Sequence, residues 1–105
     1  MSKDKLPKNF QKLQQNHPDF MAAVGNLGKA VREAGPLDEK TINLLQMAAA
    51  AALRMEGAVH SHARRAMTAG ATEVEVRHAL IVLTSTIGFP AVATATSWVN
   101  DVSED

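Results

Sequence analysis

The segment Met47-Ala48-Ala49-Ala50-Ala51-Ala52-Leu53 constrains the fold more than any other part of the chain. Alanine is the strongest helix former, and this run is apolar on every side. A helix of that kind is buried all round, and its short side chains let neighbouring helices approach closely. A second run, Ala79-Leu80-Ile81-Val82-Leu83, has the same character. No segment shows the two-residue alternation of a half-buried strand. The reading is an all-α bundle with two central helices.

Punctuation along the chain supplies the remaining elements. Pro7 opens a short helix to about Gln15, because proline's missing N–H is not needed in a first turn. Pro18 restarts the chain, and Phe20, Met21, Val24, Leu27 and Val31 form an amphipathic stripe that Gly35-Pro36 ends. Asp38 caps a third helix running to about Leu53, with Glu39 in the first turn, where the helix dipole favours negative charge. Gly57 marks a break before a fourth helix, which runs from about Met55 or Gly57 to Ala69, with Gly70 as its stop signal. Thr72-Glu73-Val74-Glu75 fits a capping box at the start of a fifth. Gly88-Phe89-Pro90 breaks that helix, and Pro90 opens the last one, whose Val92, Ala95, Val99 and Val102 line one face before an acidic, fraying tail from Asp101. The expected organisation is a basic lead with a short helix over 1–17, a helical domain over 18–102 and an acidic tail over 103–105.

Composition removes several function classes. With no cysteine, the 105-residue chain carries no disulfide, thiolate metal site or thiol catalysis of its own. Eleven basic residues offset eleven acidic ones, so long-range attraction to nucleic acid or an anionic membrane is not expected. Aromatic residues are 4% of the chain, too few for a base-stacking platform. No apolar run is long enough to span a bilayer, and the start does not read as a secretory signal, so the expected location is cytoplasmic.

The fourth helix carries the candidate chemistry. At about 100° per residue, Met55, Ala58, Val59, His62, Ala66 and Ala69 share one arc, and His62 is its only ionisable member. Two readings of His62 stand side by side: a core histidine bonded to a backbone carbonyl, and a general acid/base in an apolar pocket. Glu56, His60 and Arg64 stack nearly opposite and read as a solvated face with weak one-turn pairing. His60 and His62 point apart, so they do not chelate one metal together. Ser61 has no histidine aimed at it and does not read as a nucleophile. Arg54 and Arg65 could clamp a substrate carboxylate, or could be ordinary surface arginines; Arg65 lies about 60° from His62 on the wheel. His17 reads as surface, and His78 as core or subunit interface. Met47, Met55 and Met67 read as core rather than cofactor ligands.

Taken together, Leu37-Asp38-Glu39-Lys40-Thr41, the alanine-rich helix, Glu56-Gly57-Ala58-Val59-His60-Ser61-His62, Ala69-Gly70-Ala71-Thr72 and Ile87-Gly88-Phe89-Pro90 resemble the carboxymuconolactone decarboxylase family, which includes the alkyl hydroperoxidase D-like proteins. The resemblance covers about residues 18–102. It implies an alkyl hydroperoxidase D-like bundle of about six helices, assembled as a trimer or hexamer with sites near subunit contacts. The family's thiol branch uses a Cys-x-x-Cys pair, a histidine four residues after the second cysteine and an upstream glutamate. The histidine position matches His62. Met55 and Ala58 stand at the cysteine positions and Asn43 at the glutamate, so thiol peroxidase and disulfide reductase mechanisms are excluded on chemistry.

The decarboxylase branch also lacks the cysteine pair and keeps the histidine. Loss of carbon dioxide leaves an electron pair to be delocalised and then protonated, and an imidazole in an apolar pocket performs the protonation. The resemblance therefore implies a cofactor-free lyase or isomerase acting on a small carboxylated lactone or keto acid. His62 is the acid/base, Arg65 or Arg54 the carboxylate clamp, and Asn43 a hydrogen-bond donor; Met55 and Ala58 line the pocket. No metal or organic cofactor is called for. A competing reading is a non-catalytic oligomer of the same fold, a small-molecule binder or scaffold, suggested by the missing thiol-branch residues and by small apolar helices suited to subunit contacts.

Overall fold

Asp38 and Thr72 begin two of the helices of the core. Asp38 accepts a hydrogen bond from the Thr41 backbone N–H at 2.8 Å, capping α3 (Glu39–Ala52). Thr72 accepts from the Glu75 N–H at 3.0 Å, and the Glu75 carboxylate accepts from the Thr72 N–H at 2.9 Å. This is the capping box expected ahead of α5 (Glu73–Ile81). Lys40 joins the two helix starts by an ion pair to Glu75 at 2.9 Å.

The computed structural model describes residues 7–103, all in helices or short connections, with no strand among them. The lead before Pro7 and the end of the acidic tail lie outside the described residues. The chain divides after Pro36 into two compact units. The first holds α1 (Lys8–Asn16) and α2 (Pro18–Glu33). The expected stripe of α2 is present, but Phe20, Val24, Leu27 and Val31 are all exposed.

In the second unit, α3 packs against α4 (Glu56–Thr68), and α4 and α5 pack against α7 (Phe89–Ser103). A four-residue turn, α6 (Thr84–Ile87), separates α5 from α7 and was not marked by any sequence signal. Met47, Val59, Ala63, Ala66, Val76, Leu80 and Val99 form the centre of the core, with exposures between 0% and 1% for this set and neighbouring Ala95. The α7 stripe is as expected: Val92, Ala95, Val99 and Val102 are buried.

Four expectations are corrected. The break between the third and fourth helices falls at Arg54, not Gly57, which lies inside α4. Arg54 adopts a left-handed φ of 59°. Its N–H reaches the Ala51 carbonyl at 3.1 Å and the Met55 N–H reaches the Ala50 carbonyl at 2.9 Å, which together close a Schellman motif. Glycine punctuates the sequence visibly, whereas an arginine held left-handed by these bonds does not. Gly70 closes α4 in the same way at φ 107°, as expected.

Second, neither central helix is enclosed on all sides within one chain. In α3, Met47, Ala50 and Ala51 are buried, while Leu45 is 54% exposed and Leu53, at the helix's C-terminal cap, 72%. In and after α5, Val76 and Leu80 are buried while Ile81 and Val82 stay exposed. Third, Met55 is exposed rather than part of the core; His78 is exposed in the single chain, so of its two readings, core or subunit interface, the core one is set aside. Fourth, Asp101 is helical, carried in α7 by the burial of Val102 beside it, not part of a frayed tail. No helix among the described residues is long and apolar enough to cross a membrane.

Candidate functional site

The buried stripe of α4 is Val59, Ala63 and Ala66, rotated about 60° from the arc that the helical wheel suggested. Ala63 replaces Met55 and Ala69 as an inward residue because α3 and α7 press on that line. His62 and His60 therefore sit on opposite flanks of the stripe, each partly buried.

Across the α3–α4 interface, His62 meets Asn43. The two side chains approach at 3.1 Å, His62 Nδ1 to Asn43 Oδ1. Asn43 is the one polar residue of the described core, 1% exposed. Its amide nitrogen is already committed on α3, donating to the Glu39 backbone carbonyl at 2.9 Å and approaching Glu39 Oε2 at 3.4 Å. Two oxygens around Nδ2 fix the amide's orientation, so Asn43 presents an acceptor to the ring. The His62 Nδ1 must then carry a proton and donate it, which leaves Nε2 as the basic nitrogen of the neutral ring. A buried polar group left unpaired is costly, so this orientation is held by the core and not only by the pair itself.

Asn43, expected as a hydrogen-bond donor, meets His62 as an acceptor to the imidazole, with its donor nitrogen engaged by Glu39. Sequence reasoning noted Glu39 only as a first-turn acid. Its four-residue spacing from Asn43 was the available signal for a carboxylate backing the amide. Ala58 is partly buried one turn before His62. Arg54 and Met55 lie exposed in the α3–α4 connection, and Arg65 is exposed on the last turn of α4. Neither Arg54 nor Arg65 forms a side-chain hydrogen bond or ion pair among the described residues, so both guanidinium groups are available to a ligand or to solvent.

The histidine, asparagine and glutamate form one hydrogen-bonded arrangement, whose geometry suits the handling of a proton. An acceptor on Nδ1 favours the tautomer that carries its proton there, which leaves Nε2 as the nitrogen with a lone pair. The unit needs no thiol, and the chain contains none.

Comparison with known proteins agrees with this architecture. The uncharacterized protein MJ1511 of Methanocaldococcus jannaschii is 32% identical over 98 residues, covering 93% of this chain and 92% of that protein. An uncharacterized protein of Haemophilus influenzae is 40% identical over 61 residues, 58% of this chain and 54% of that protein. Among solved structures, apo-lpg0406, a carboxymuconolactone decarboxylase family protein from Legionella pneumophila, superposes with a TM-score of 0.80 at 26% identity, over 91% of this chain and 86% of that one. The family's own sequence pattern matches residues 18–101. With the helical order, the site helix and that match in agreement, the chain belongs to the carboxymuconolactone decarboxylase family.

Proposed function

We propose that the protein is a cofactor-free proton-transfer catalyst of the carboxymuconolactone decarboxylase type, acting on a small carboxylated lactone or keto acid. The observation that carries the reading is the contact of His62 Nδ1 with an asparagine oxygen whose own orientation is fixed by Glu39. In the decarboxylation, the carbon–carboxylate bond breaks and its electron pair moves into the conjugated carbonyl system as carbon dioxide leaves. The imidazolium Nε2–H then delivers its proton to the resulting carbanion equivalent, and Nε2 recovers a proton from solvent. In an isomerisation the same nitrogen removes a proton before returning it. Arg65 or Arg54 would hold a carboxylate that is retained, fixing the substrate's orientation. Met55 and Ala58 would supply apolar contact, and Asn43 acts through the ring rather than on the substrate. In this reading the protein acts in the cytoplasm, with small organic acids as its partners.

The test is turnover. Wild type and His62→Gln are assayed for carbon dioxide release and for solvent-deuterium incorporation across a panel of lactones and keto acids, beginning with 4-carboxymuconolactone. General acid/base catalysis predicts a loss of about 10²–10⁴-fold in His62→Gln. An unchanged rate removes His62 from the reaction.

One observation favours a second reading, a non-catalytic homo-oligomer that binds small molecules or serves as a scaffold. Leu45, Leu53, Ile81 and Val82 lie on or beside helices of a kind that is normally covered all round, yet each is more than half exposed in one chain. Self-association as a trimer or hexamer would cover them. Turnover by wild type on no member of the panel, together with a defined oligomer in solution, supports this second reading over the first.

A further inference from the structure

Helix α4 carries a second cluster on the flank away from His62. Glu56 and His60 are one turn apart on α4, and Asp101 reaches them from α7. One ligand atom from each of the three lies within 4.8 Å of the other two. His60 Nε2 is 3.4 Å from Asp101 Oδ2 and 3.9 Å from Glu56 Oε2.

The imidazole nitrogen is the telling atom. His60 Nε2 is shielded from solvent and has no hydrogen-bond partner, although two carboxylates stand beside it. A proton on Nε2 is directional and serves one acceptor along the ring plane; here neither oxygen meets that geometry. A buried polar atom without a partner calls for an explanation. A cation placed among the three atoms satisfies the nitrogen and both carboxylates at once.

The spacing fits that occupant. Ligands about 2.0–2.2 Å from a tetrahedral zinc ion stand roughly 3.4 Å apart. The His60–Asp101 pair is already at 3.4 Å. The Glu56 side chain is 56% exposed, so a change of rotamer brings its oxygen the remaining distance. One imidazole with two carboxylates suits a borderline divalent transition ion better than calcium or magnesium, which prefer oxygen alone.

We infer that Glu56, His60 and Asp101 form a divalent transition-metal site of the zinc class that ties α4 to α7. The site is separate from His62: the two histidines are about 160° apart around α4. Its effect on the fold is to clamp the helix that carries His62 against the last helix of the core.

The experiment uses the full chain after chelator treatment, titrated with Co²⁺ and followed by visible absorption and calorimetry, with a parallel Zn²⁺ thermal-shift series. The expected result is one ion per chain, a rise in melting temperature with zinc, and affinity at least about 10-fold weaker in His60→Gln and Asp101→Asn. Asp101 is exposed, so Asp101→Asn folds and reports even where His60→Gln does not. The exposed histidines His17 and His78 serve as controls, and H17Q and H78Q retain binding. No binding at millimolar metal overturns the proposal, as does binding that survives both His60→Gln and Asp101→Asn.

Discussion

Asn43 and His62 meet across the α3–α4 interface at 3.1 Å, and the amide faces the ring with its oxygen because its nitrogen is held by Glu39. One buried amide therefore links the start of α3 to the candidate histidine of α4. Removing it has two separable consequences. Asn43→Ala leaves the His62 Nδ1–H without its acceptor and costs about 1–3 kcal/mol in urea denaturation. In the same variant turnover falls while substrate KM moves less, since Asn43 touches the ring and not the ligand. Equal changes in kcat and KM would point to a general loss of structure.

The capping box gives a pH dependence with a defined sign. The Glu75 carboxyl is held below its ordinary value first by the Thr72 backbone N–H and then by Lys40. A carboxyl lowered in the folded state contributes stability above its unfolded value and loses it as pH falls through the folded value. Glu75→Gln should therefore destabilise the protein near neutral pH, and the difference from wild type should shrink as the solution is acidified below the usual carboxylate range. Asp38, lowered by its hydrogen bonds from Thr41, follows the same rule in Asp38→Asn. A difference that stays constant with pH contradicts both assignments.

Arg54 occupies a backbone conformation that suits glycine, at φ 59°. Arg54→Gly should stabilise the fold by roughly 0.5–1 kcal/mol, the relief of left-handed strain less the added freedom of the unfolded chain. Gly70→Ala, at φ 107°, should cost about 1 kcal/mol or more. Chemical denaturation of both variants reads opposite signs if the two Schellman motifs are formed as described.

Leu80 and Val74 share α5 but differ in burial, at 0% and 75% exposed. Leu80→Ala should lose about 2–5 kcal/mol. Val74→Ala should stay within about 0.5 kcal/mol of wild type. Thermal unfolding of the pair checks the orientation of α5 on the core.

The parts of this fold that were legible in the sequence are those written in local pattern. The α7 stripe, the Asp38 cap, the Thr72–Glu75 box and the Gly70 stop follow from spacing and side-chain type within a few residues. The Arg54 turn was hidden because its left-handed backbone is fixed by bonds to Ala50 and Ala51, not by its own side chain. The inward line of α4 lies about 60° from the arc that hydropathy marks, because α3 and α7 decide which face is covered and alanine is compatible with either side. Asn43 was reached through family resemblance, and its role as acceptor needed the position of Glu39. Asp101 gave no signal toward His60, since the contact joins residues far apart in the chain.

The tautomer of His62 tests the central claim without knowledge of the substrate. In ¹⁵N-labelled protein at a pH where the ring is neutral, long-range ¹H–¹⁵N correlation spectra distinguish the protonated ring nitrogen from the basic one. The structure predicts a proton on Nδ1 and a basic Nε2 in wild type, with Nε2–H gaining population in Asn43→Ala. A wild-type ring protonated on Nε2 would contradict the account.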